Sequence, residues 1–143
     1  MPAIQFDESR WPVLSITFTA EPTDEEFAEY LDRYSKVYIG RRERYALVLI
    51  TAPGLPMTKP AQARAQANWI RDNEDVIENL CAGIAFVLPS PVQRGVLRAI
   101  LWMQGLPAPH RVFQDVDEGH RWVDSLFKPP SVATPPPSSR PSR

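Results

Sequence analysis

The chain has little of what most catalytic and metal-binding sites are made from. One cysteine, Cys81, occurs in 143 residues. No disulfide can close within the chain, and no cysteine-based zinc site can form. There are two histidines, His110 and His120, and neither stands in an HxxxH or HExxH spacing. The sequence contains no GxGxxG, GxxxxGK[ST] or GxSxG. That removes the dinucleotide cradle, the phosphate loop and the nucleophile elbow. An excess of charge is missing too: 16 Lys and Arg face 17 Asp and Glu, for a net charge of −1. Such a chain projects no long-range field toward polyanions, so no nucleic-acid partner is expected. No apolar run approaches the length of a membrane span. The opening MPAIQFDESR lacks the basic-then-apolar order of a signal peptide. The expectation is a cytoplasmic chain without a membrane span, without a cofactor or metal, and not an enzyme.

What is present is an ordinary globular composition, 43% apolar and 23% charged, and enough length for one domain. Proline is plentiful, with 16 residues, but six of them crowd into "PPSVATPPPSSRPSR" at 129–143. Almost no large apolar residue lies there, so burial cannot offset the entropy of ordering it. The sequence therefore divides into a folded domain over 1–127 and a disordered Pro/Ser-rich tail over 128–143.

Within the domain, "VLSITFTA" alternates, with Leu14, Ile16 and Phe18 on one side. It reads as a strand with one buried face. "IQFD" and the turn "SRWP" before it complete a hairpin. In "PTDEEFAEYLDRYSKVY", Thr23 and Glu26 form a capping box. Phe27, Leu31, Tyr34 and Val37 make one apolar helical stripe. "YALVLI" (45–50) and "GIAFVL" (83–88) are short, continuous apolar runs of the kind found in strands covered on both faces. Between them lie the loop "TAPGLPMTKP" and a helix over about 59–79, capped by Thr58. Its Ala61, Ala65, Trp69, Val76 and Ile77 are expected to face the core.

Ser90, Pro91 and Gln93 start the next helix as cap, first position and second half of another capping box. Gly105 and Pro107 end it. "HRVFQDV" is a weaker strand at an edge, and a last helix starts at Asp115 and ends near Phe127. The order is a β-hairpin followed by α, β, α, β, α, β, α. It predicts an α/β fold with a mainly parallel mixed sheet of four to five strands and about four helices. A flavodoxin-like doubly wound sheet is the alternative.

No constellation for chemistry emerges. Cys81 opens a buried strand and reads as a small core residue. Asp72, Glu74 and Asp75 beside Arg71 read as a solvated face. Tyr30, Trp69 and Trp102 recur at spacings that fit core packing. The unusual stretch is "LPSPVQRGVLRAILWMQGLPAPH" at 88–110. Arg94 and Arg98 are four apart and neighbours on one helical face. Val92, Val96, Ala99, Ile100 and Met103 form a stripe, which Leu97, Leu101 and Trp102 widen beyond the usual apolar face. A helix apolar nearly all round is deeply buried or belongs to an interface.

The segments "FDESRWPVLSITF", "RYALVLITA", "QANWIRDN", "CAGIAFVLPSPVQRGVLRAILWMQ" and "PHRVF" resemble the SpoIIAA-like, or STAS/SEC14-type, bacterial domains. They resemble more closely a group of small stand-alone proteobacterial members whose role is largely uncharacterised. The resemblance covers about 4–127 and leaves out the tail. "LPSPVQRGVLRAILW" is its most specific part. It implies a STAS-like fold and a non-enzymatic protein-binding adaptor or regulatory role in bacterial signalling or a multiprotein assembly. It also implies an alternative, a domain that binds a small lipid-like or anionic ligand. The family's phosphorylated switch sits at the start of the helix after the first parallel strand. Thr58 is the matching hydroxyl here, although the Asp-Ser-Ser-Gly type of signature is absent. A protein partner, including a second copy in a homodimer, is expected on the outer side of the 91–104 helix and the loop after it. Arg94, Arg98, Leu101, Trp102 and Leu106 are the candidate contacts, since aromatic and arginine anchors dominate interfaces.

Overall fold

A computed structural model describes residues 3–55 and 59–127. Thr58 and the 128–143 tail lie outside the described residues. Five strands form one sheet in the order β1-β2-β3-β4-β5: β1 (Ile4–Arg10), β2 (Val13–Phe18), β3 (Tyr45–Thr51), β4 (Cys81–Val87) and β5 (His110–Phe113). β1 runs antiparallel to β2, and every other pairing is parallel. The helices are α1 (Asp24–Arg33), α2 (Pro60–Asp72), α3 (Glu74–Leu80), α4 (Pro91–Gln104) and α5 (Val116–Ser125). The hairpin, the two central strands and the weak edge strand stand where the pattern put them. Strand order follows chain order throughout, so the sheet has no reversal of the kind that defines a doubly wound fold.

The period of two sorts the strands into two cores. Leu14, Leu47 and Ile84 stand side by side, as do Ile16, Leu49 and Phe86. These rows face α1, α2 and α3 together with Phe27, Tyr30, Tyr34, Tyr38 and Ile77. On the opposite face Val13, Ala46, Val48, Ala85 and Val87 pack with Val123 of α5. Small residues let α5 come close. A Cβ on Gly119 would stand 3.0 Å from Cγ2 of Val87, and one on Gly83 would meet the side chains of Leu126 and Trp122.

Several local expectations change. The helix over 59–79 is two helices that break at Asn73, whose side-chain amide donates to the carbonyl of Trp69. Ala61 and Ala65 are exposed, and the buried residue of that turn is Gln62. Gln62 Nε2 donates to Pro22 O and Asp24 Oδ1, tying α2 to the start of α1. Thr23 and Glu26 form the capping box with both hydrogen bonds present. Beyond α1 the backbone widens into a π turn over Tyr34–Tyr38. A wider turn advances the phase, so Tyr38 is fully buried and Val37 is exposed. Ser90 does accept from the Gln93 amide N–H, but the Gln93 side chain does not close a box. Its Nε2 donates to Leu55 O and Ala52 O instead, fastening α4 to the loop after β3.

Candidate functional site

α4 spans a gap over the carboxyl ends of β2, β3 and β4. Proline at its first position and a serine cap start it; Gly105, at φ 71°, ends it. The two faces of this helix differ in what they meet. Leu97 and Leu101, four residues apart, point inward with Leu106 just beyond, all three half-buried. Val92, Val96, Ala99 and Met103 lie on the other side and are exposed, Val92 at 75% and Met103 at 81%. Trp102 is 91% exposed. It packs into no core and stands on the outer side of the helix.

Between α4 and the body lies a cavity of about 230 Å³. Phe18, Leu49 and Phe86, at or near the strand ends, meet Ile70 of α2 and Leu97 and Leu101 of α4 across it. Thr51, Gln62, Gln66, Lys59 and Glu21 supply its polar groups. The cavity lies at the carboxyl ends of the parallel strands, away from any strand-order reversal, which this sheet lacks. The recess is partly open to solvent, so a ligand there would cover apolar wall without being fully enclosed. A second recess of about 590 Å³ adjoins it past Ile70 and Leu106, toward Arg71, Glu74 and Pro107.

The five candidate contacts thus divide. Trp102 and Arg98 are exposed on α4, while Leu101 and Leu106 line the cavity. Arg94 Nη1 donates to Leu88 O at 2.8 Å and Pro89 O at 3.0 Å. Its guanidinium therefore closes the turn between β4 and α4. The cavity itself had no sequence signal, because its walls come from five separate segments. The outward stripe did have one, the 4-3-4 spacing of Val92, Val96, Ala99 and Met103.

Elsewhere the reactive groups are committed to the fold. Cys81 is buried, and burial pushes its thiol up to about 11. Tyr34 and Tyr45 share a buried hydroxyl–hydroxyl hydrogen bond of 2.6 Å, and desolvation raises both above the ordinary phenol. Glu8 accepts from Tyr38 and Arg41, which hold its carboxyl below the usual range. Among the described residues, no three His, Cys, Asp or Glu side chains gather where they could hold a metal ion. None of the helices there is long and apolar enough to cross a membrane.

No family model matches the sequence, and no curated protein matches it. Among solved structures, the chain is similar to an uncharacterised protein of the DUF3478 family from Shewanella loihica PV-4, which has a SpoIIAA-like fold. The two share 14% identity at a TM-score of 0.60, over 85% of this chain and 92% of that one. With its five-stranded mixed sheet, antiparallel only at β1-β2, this protein has a SpoIIAA-like α/β fold.

Proposed function

We propose that the protein is a non-enzymatic binding domain, and that it takes a small, mainly apolar ligand beneath α4. The cavity under Leu97 and Leu101 carries this reading. Its walls are apolar, its few polar groups come from the end of β3, the loops and α2, and it sits at the strand ends. Burial of an alkyl or aromatic group there contributes about 25 cal/mol per Å² of apolar area covered.

A second reading, the STAS-type adaptor, is favoured by a separate observation. The outer face of α4 is bare, with Trp102, Met103 and Val92 in solvent. A protein partner in a signalling or multiprotein assembly would dock there, with Trp102 and Arg98 as anchors. The two readings use opposite sides of one helix.

The test of the first is titration with a fluorescent apolar probe, N-phenyl-1-naphthylamine, alongside native mass spectrometry of the purified chain. Leu97→Trp fills the cavity and is expected to weaken probe binding by about tenfold, a change of roughly 1.4 kcal/mol. Trp102→Glu, on the outer face, is expected to leave probe binding unchanged while it disables the docking face. Probe binding that ignores Leu97→Trp, with a clean 16.2 kDa chain in the spectrometer, would sink the ligand reading.

A further inference from the structure

The bare face of α4 also says what kind of surface fits it. Val92, Val96, Ala99 and Met103 are spaced 4, 3 and 4 residues apart and are all exposed. This is the a/d spacing of a coiled-coil seam, and it asks for another helix. The spacing is palindromic. Turned end for end, the helix presents the same seam, with Val92 opposite Met103 and Val96 opposite Ala99.

The flank repeats this symmetry. Trp102 stands beside the seam, and Gly95 lies seven residues earlier on the same flank. In an antiparallel pair of α4 helices, Trp102 of one copy falls over Gly95 of the other. The space above Gly95 is open: a Cβ there would have nothing within 4 Å. The indole thus has a notch to fill, on both sides of a two-fold axis.

Charge permits the pairing. α4 has no acidic residue, and its two cations are Arg94 and Arg98. Arg94 is bonded to the carbonyls of Leu88 and Pro89. Arg98 projects about 135° around the helix from the seam, at 100° per residue, so self-pairing buries no guanidinium.

We propose that the occupant of this face is a second copy of the chain, packed antiparallel, α4 against α4, about a two-fold axis. This is independent of the ligand reading, because it uses the side of the helix away from the cavity. A 14-residue helix is about 21 Å long. Alone it offers less than the roughly 800 Å² per partner of a standard interface. The dimer is therefore weak and appears only at high concentration.

Sedimentation velocity on the full chain, from micromolar to near-millimolar concentration, reads this directly. The mass is expected to rise from 16.2 kDa toward twice that value. Met103→Glu, at an exposed position, should keep the circular dichroism and melting curve and abolish the rise. Orientation is tested by oxidative cross-linking. Val92→Cys mixed with Met103→Cys should form a covalent heterodimer, while either variant alone forms little. A chain that stays monomeric throughout, a dimer untouched by Met103→Glu, or efficient cross-linking of Val92→Cys to itself would each overturn the proposal.

Discussion

At the scale of single residues, the buried polar groups set the local demands. Tyr34 and Tyr45 lie in the main core and satisfy each other through one short hydrogen bond. Tyr34→Phe removes half of it and leaves the buried Tyr45 hydroxyl with only the weak Cys81 thiol as partner. The expected cost is about 2 kcal/mol, read as a lower urea midpoint at unchanged slope. Changing both tyrosines to Phe should recover part of that loss, since no desolvated hydroxyl then remains. A double variant worse than the sum of the singles would contradict this account. Gln62, at the cavity edge, and Gln93, in the first turn of α4, play a related part. Each is almost fully buried, and each holds a helix to a neighbouring loop through backbone carbonyls. Neither has an apolar pattern to announce it.

At the scale of elements, α5 and α4 are held in opposite ways. α5 lies directly on the sheet over Ala46, Ala85 and Val87 and covers that face alone among the described helices. Gly119 faces Val87 there, where a Cβ would already be tight. Gly119→Val puts branched carbons against the β-branched Val87, which cannot swing aside. We expect about 2 kcal/mol of destabilisation from overpacking, seen in the thermal or urea midpoint. A variant as stable as the parent would show that α5 can slide. α4 instead touches the body through Leu97, Leu101 and the Gln93 and Arg94 hydrogen bonds, with the cavity beneath it. It therefore has an inner face over the cavity and an outer face in solvent.

At the scale of the molecule, the same dry core makes stability depend on alkaline pH. Burial raises the Cys81 thiol to about 11 from 9.0, and raises Tyr30, Tyr34 and Tyr45 above 10.0. Above about pH 9 for the thiol and about pH 10 for the phenols, the unfolded chain releases these protons while the folded chain keeps them. A raised folded-state pKa gives stability that is complete below the unfolded value and lost as pH climbs through the folded one. Each such group contributes a slope on the order of 1 kcal/mol per pH unit in that window. Urea midpoints should be level near neutrality and fall steeply above about pH 9. A midpoint flat to pH 11 would mean that water reaches these groups.

The sequence by itself determined the strands, the α/β order, the hairpin and most helix starts. These follow from local periodicity and from caps such as Thr23 and Asp115, whose partners lie three residues away. It also marked 88–110 as unusual. It could not phase α4 or α2, because a helix apolar nearly all round has no preferred inner side, and Gln62 is buried through bonds to Pro22 and Asp24, about forty residues away in the chain. The wide turn at Tyr34–Tyr38 moved burial from Val37 to Tyr38 for a similar reason. Only the tertiary structure decided that Leu101 and Leu106 close a cavity while Trp102 and Met103 stand in solvent. Which face of a helix is covered depends on what the rest of the chain brings to it, and that is a matter of long-range packing.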